Sequence, residues 1–127
     1  MGLKNVTTSN GKGIASNGTT AVDIYTAPSG TKDPGGNTSP GYGAWCHAVR
    51  LFNSDTILHD VQIHNIPNGQ SLGNDTMCER VSLPAGQVIR VLLDKEWLGP
   101  QDKLQIKLGE AISSTQVYAR PQATEST

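Results

Sequence analysis

The chain has 127 residues and a formal net charge of −1, with 35% hydrophobic and 17% charged residues, 14 glycines and 7 prolines. That length supports one domain with a core and is too short for two. Near-neutral charge without a long basic run argues against nucleic acid, whose binding needs clustered Lys and Arg, and the lack of any apolar stretch near ~18 residues argues against a membrane span.

Glycine and proline are depleted inside helices and enriched at turns, so a loop-rich β protein is expected. One Phe, two Trp and three Tyr make a thin core, which packing against other subunits is expected to complete. The N-terminal residues lack the apolar core of a secretion signal, so synthesis in the cytosol is expected. Cys46 and Cys78 then read as two free thiols rather than a disulfide scaffold. The Asn-x-Ser/Thr sequons at Asn5, Asn17, Asn37 and Asn74 read as by-products of a polar surface.

In chain order, residues 1–12 are polar and rich in Thr, Val and Asn. They read as a flexible arm or edge strand, able to donate backbone hydrogen bonds to a neighbour's sheet through Val6, Thr7 and Thr8. Residues 13–16 read as a weak strand and Asn17-Gly18 as a hairpin turn. Residues 20–26 are the next strand, ending in Pro28-Ser29-Gly30, a phrase expected to reverse the chain tightly. Residues 32–43 hold two Pro-Gly pairs and nothing apolar but Tyr42. They read as an insert at a hairpin tip that offers Pro34, Asn37 and Tyr42 to another chain.

Residues 44–53 form the strongest strand. Simple alternation puts Trp45, His47, Val49 and Leu51 on one face and Cys46, Ala48, Arg50 and Phe52 on the other. Large side chains on both faces imply a central position. Strands follow at 57–63, with Ile57, His59, Val61 and Ile63 on one side, and at 76–83, ending in Pro84-Ala85-Gly86. The strand at 87–93 sets Val88 and Arg90 against Ile89, Val91 and Leu93. Residues 94–98 read as a single helical turn in which Trp97 caps the sandwich end or packs on a neighbouring subunit. The strand at 103–108 turns Leu104, Ile106 and Leu108 inward. A last strand covers 116–120, and 121–127 read as a polar, frayed tail. The sum is an all-β fold, an antiparallel β-sandwich of about eight strands, jelly-roll-like. It consists of an arm (1–12), a sandwich domain (13–120) with the insert at 32–43, and the tail.

Catalytic chemistry finds little support. Gly69-Gln70-Ser71-Leu72-Gly73 matches G-x-S-x-G, but a nucleophile elbow needs a strand-turn-helix context and Ser71 lies in a polar loop. Asp23, Asp60 and Glu79 alternate with apolar residues, as on an outward strand face. Zinc needs three or four converging N or S ligands. His59 and His64 are five apart and diverge on a regular strand, as do the adjacent Cys46 and His47. No enzyme activity, metal or cofactor is expected. A carbohydrate-binding role is the rival reading. Sugars stack on exposed aromatics, and Trp45, Trp97, Tyr42 and Tyr118 are available to line one face.

The phrases Ile24-Tyr25-Thr26-Ala27-Pro28-Ser29-Gly30-Thr31, His47-Ala48-Val49-Arg50-Leu51-Phe52-Asn53, Val81-Ser82-Leu83-Pro84-Ala85-Gly86 and Leu98-Gly99-Pro100-Gln101-Asp102-Lys103-Leu104-Gln105-Ile106 occur in that order. Together they resemble a pattern of small β-sandwich virion proteins of tailed bacteriophages, over residues 13–119. The departure is the insert at 32–43, where that pattern has a tight hairpin. The resemblance implies a virion structural protein, such as a head decoration (cement) protein that clamps neighbouring major capsid subunits, or a tail or fibre component. The implied partners are the major capsid protein or other virion subunits. A closed homo-oligomer, a trimer first, is expected.

Overall fold

The computed structural model describes residues 3–7, 12–13, 21–37, 41–109 and 117–126. Nine strands occur among them. They are β1 (Leu3–Thr7), β2 (Lys12–Gly13), β3 (Val22–Thr26), β4 (Ala44–Asn53), β5 (His59–Ile66), β6 (Met77–Leu83), β7 (Val88–Leu98), β8 (Lys103–Leu108) and β9 (Val117–Ser126). They form two antiparallel sheets. One has the order β1-β9-β4-β7 with β2 also on β9; the other has the order β3-β8-β5-β6. The chain is an all-β antiparallel sandwich.

The core lies between the sheets. β8 contributes Leu104, Ile106 and Leu108, all fully buried, and they meet Val49 and Leu51 of β4, Val61 and Ile63 of β5, and Val117 and Ala119 of β9. Every second residue of these strands faces inward, as the pleat requires. β4 is central, as expected, with β9 on one side and β7 on the other.

Four local expectations are corrected. First, the faces of β4 are not those of simple alternation. The ladder slips between Cys46 and Ala48, and His47 is the extra residue against β9. Ala44, Cys46, Val49, Leu51 and Asn53 are therefore buried, while Trp45, Arg50 and Phe52 are exposed. One inserted residue reverses the phase of a period-two pattern. Second, residues 94–98 do not form a helical turn. β7 runs on to Leu98, and Asp94 takes a left-handed φ of 51° where β7 bulges opposite His47.

Third, residues 121–126 are not a frayed tail but the second half of β9, pairing with both β1 and β4. The inward positions there are Pro121 and Ala123, both buried, too small to advertise a strand. Fourth, the two Pro-x-Gly phrases do different things. At Pro84-Ala85-Gly86 the Gln87 N–H donates to the Pro84 carbonyl at 3.2 Å, and this turn carries the chain from β6 in one sheet to β7 in the other. At Pro28-Ser29-Gly30 there is no tight reversal. Ser29 instead bridges Tyr42, and the Gly30 N–H donates to the Gly41 carbonyl at 2.9 Å. A Cβ on Gly30 would stand 2.7 Å from the Gly41 carbonyl carbon and the Tyr42 nitrogen, so glycine is needed here for close approach rather than for a turn. The insert thus stands, as expected, at the tip of a short antiparallel stem around the Ser29–Tyr42 bridge, and that stem lies between β3 of one sheet and β4 of the other. The expected strand at 13–16 and its turn fall mostly outside the described residues.

Candidate functional site

The two sheets treat charge differently. On the outer face of the four-stranded sheet, two cations have acidic partners. Arg80 forks onto Asp60, with Nη2 at 2.6 Å from the carboxylate, and Asp60 pushes the Arg80 pKa further up. Lys103 lies 3.3 Å from Asp23, which also accepts from the Gln105 amide at 2.6 Å. His64 sits on this face too, yet is buried, because Thr76 seals it at 2.8 Å and Gln62 holds its other nitrogen at 3.1 Å.

The outer face of the five-stranded sheet is built in rows that cross β7, β4 and β9 in register. The first row is Val88, Phe52 and Tyr118; the second is Arg90, Arg50 and Arg120; the third is Leu92, Ala48 and Gln122. Beyond the bulge come Trp97, Trp45 and Thr124. The large apolar members stand in solvent: Leu92 62%, Val88 58%, Trp45 46%, Trp97 41%, Phe52 38% and Tyr118 36% exposed. Trp45 and Trp97 pack with ring centroids 4.9 Å apart and planes tilted by 54°. Phe52 and Tyr118 lie nearly parallel, 21° apart with centroids at 6.4 Å. Between this second pair and the arginines lies a depression of about 380 Å³ lined by Arg50, Phe52, Val88, Tyr118 and Arg120. Polar side chains fill the middle of the face. Arg90 Nε donates to Gln122 Oε1 at 3.1 Å, and His47 Nε2 and Thr124 Oγ1 share a hydrogen bond at 2.6 Å.

The residues expected to meet a partner are scattered. Val6 and Thr7 pair through their backbones with Ala123 and Gln122 of the same chain, so residues 3–7 of the arm form the edge strand of its own sheet. Thr8 lies outside the described residues. Pro34 and Asn37 are exposed in the insert, where the Asn37 N–H closes a local turn onto the Asp33 carboxylate at 2.9 Å. Tyr42 is half-buried. Trp97 alone joins the exposed face. The sequence reading missed the arginine row and the Phe52–Tyr118 pair as a site. The alternation of Arg50 with Phe52 and of Val88 with Arg90 was its available signal.

Among the described residues no three of His, Cys, Asp and Glu gather as a metal site. Ser71 lies in the loop after β5, followed only by a three-residue 3-10 turn, Asn74–Thr76. Cys46 and Cys78 are free, one buried and one half-buried. Burial first, then the nearness of the two thiols, pushes Cys46 up to about 12.

No family model matches the chain, and no curated protein matches it. Among solved structures, a chain of the Bacillus endospore appendages, a family of disulfide-linked pili, is similar. The TM-score is 0.49 at 14% identity, over 98% of this chain and 86% of that one.

Proposed function

We propose that the chain is a non-enzymatic structural subunit of a bacteriophage virion, and within it a head decoration protein that adheres to neighbouring major capsid subunits as a homo-oligomer. The observation that supports this reading is the outer face of the five-stranded sheet, where six large apolar side chains from β4, β7 and β9 stand exposed together. Large apolar side chains exposed on one sheet face, here in groups on either side of the arginine row, mark interaction sites on soluble proteins. The ordered virion-like phrases point to the particle. Adhesion over several copies raises avidity without a strong single contact.

Sedimentation with heads that lack the protein tests it. The full chain should pellet with the heads, and Val88→Lys and Leu92→Lys, both at exposed positions, should weaken binding at least ten-fold while the melting temperature holds. Failure of the full chain to pellet, or equal binding by both variants, overturns the reading.

A second reading, a carbohydrate-binding module or tail-fibre component, has its own support. Trp45, Trp97, Phe52 and Tyr118 share one sheet face. Exposed aromatics aligned on one face suit the apolar faces of sugar rings.

A further inference from the structure

The three arginines carry more than general adhesion. Arg50 stands directly opposite Arg90 on one side and Arg120 on the other. Neighbouring strands run about 5 Å apart, so three guanidinium-bearing residues cross about 10 Å of sheet. Like charges directly opposite in a sheet are destabilising. Elsewhere the chain avoids that cost by pairing Arg80 with Asp60 and Lys103 with Asp23. Among the described residues no carboxylate pairs with Arg50, Arg90 or Arg120, and their one side-chain hydrogen bond is from Arg90 to Gln122. An anion laid across the row removes the repulsion and gains charge-assisted hydrogen bonds, which guanidinium groups give to carboxylates in a planar fork.

The surroundings narrow the anion. Beside the row lie the near-parallel rings of Phe52 and Tyr118 and the depression between them and the arginines. Along the strands the Trp45–Trp97 pair closes the far end, about 20 Å from Phe52. The stretch between holds Gln122, Thr124 and His47, all of them hydrogen-bonding side chains. A polynucleotide carries a phosphate at every step and is followed by cations along its whole track. Here the cations stand in one row, framed by aromatics and amides. That layout fits a short run of hydroxyl-rich sugar rings that bear carboxylates where they cross the arginine row.

We infer that the outer face of the five-stranded sheet is a binding site for an acidic, uronate-bearing glycan, whose carboxylates meet Arg90, Arg50 and Arg120 while its rings lie on Phe52 and Tyr118. The inference rests on the second reading above, the glycan-binding one, and names its ligand class.

Calorimetric titration of the full chain with an oligogalacturonate tests it, alongside a neutral galacto-oligosaccharide of equal length and single-stranded DNA of similar reach. The oligogalacturonate should bind, and added salt should weaken it. Arg50→Gln should weaken it at least ten-fold with no fall in melting temperature, because the residue is exposed and its loss relieves repulsion. Phe52→Ala should also weaken it, while Arg80→Gln on the opposite sheet should not. Equal binding of the neutral and acidic sugars, unchanged in Arg50→Gln, would overturn the charge inference and keep the glycan reading. Tighter binding of the DNA would replace the occupant. Binding of none of the three would overturn both.

Discussion

Asn53, the last residue of β4, donates its side-chain amide to the carbonyl of Leu83, the last residue of β6, at 3.0 Å. The bond joins the two sheets at one corner of the sandwich. The same amide donates to the Ile57 carbonyl at 2.8 Å, and its oxygen accepts the Asp55 N–H at 2.9 Å. The Asn53 backbone is paired as well, accepting from the Gly86 N–H at 2.8 Å and donating to Gln87 at 3.0 Å. Asn53 is fully buried, so every one of these groups needs its partner. Asn53→Ala strands buried backbone groups and should cost about 3 kcal/mol. Urea unfolding checks this, and a loss under about 1 kcal/mol would show that water replaces the amide.

Gly43 holds the tryptophan pair in place. Its φ is +68°, and a Cβ there would stand 2.6 Å from both the Leu98 carbonyl and the Trp97 ring. Gly43→Ala should therefore cost about 2 kcal/mol and move Trp97 away from Trp45. The near-ultraviolet circular dichroism of the coupled indoles should fall in Gly43→Ala as it does in Trp97→Ala. An unchanged spectrum would mean that the backbone shifts instead of the ring.

Stability should depend on pH through His64. Burial, followed by repulsion from Lys107, holds its imidazole below the ordinary 6.5. The unfolded chain then binds a proton more readily than the folded one. The contribution is fully present above pH 6.5 and is lost as pH falls from there towards the folded value. Urea midpoints should drop between pH 8 and pH 5.5 in the native chain, and the drop should shrink in His64→Gln. Asp55 does not enter that window. His59 and Thr56 hold its carboxyl below the ordinary 3.8, so its share is present above that value and lost only in stronger acid.

Both thiols should be inert in the folded protein. Burial, with nearby Glu96 next, pushes Cys78 up to about 12, as burial does Cys46. Its Sγ also donates to the Ile63 carbonyl at 3.3 Å. The thiolate is the reactive form, so Ellman's reagent at pH 8 should react slowly with native protein and rapidly with two equivalents in denaturant. Fast reaction of one equivalent in the native state would expose Cys78 to solvent.

Shortening the insert should leave the sandwich folded if the Ser29–Tyr42 bridge is kept. Residues 32–37 are exposed throughout, and loop length costs little entropy. Replacing 32–40 by a short Gly-Asn link should hold a single cooperative transition in thermal unfolding. Loss of cooperativity would tie the insert to the core.

What was legible in the chain was whatever a period of two can carry. The alternation of Lys103–Leu108 survives intact in the structure, with Leu104, Ile106 and Leu108 buried. So does the opposition of Arg90 to Val91 in β7, and the buried side of β5 at His59, Val61 and Ile63. These strands keep a steady pleat, so side-chain direction follows residue number.

The rest was decided by pairing between distant segments. The slip at His47 turned Trp45 outward and Val49 inward, and no local residue type announces a bulge of that kind. Pro121 became strand because β4 pairs with it, and Ala123 because β4 and β1 bracket it, although their own side chains bury little. The arginine row shows the same limit most clearly. Arg50, Arg90 and Arg120 lie far apart in the chain and two of them alternate with apolar neighbours in the usual way. The sequence by itself placed Arg50 opposite Leu51 and Arg90 opposite Val91 on their strands, and Arg120 at a strand end. Only the register of β4 against β7 and β9 set them side by side, because a shift of one residue in either ladder would have sent a whole strand's side chains to the opposite face.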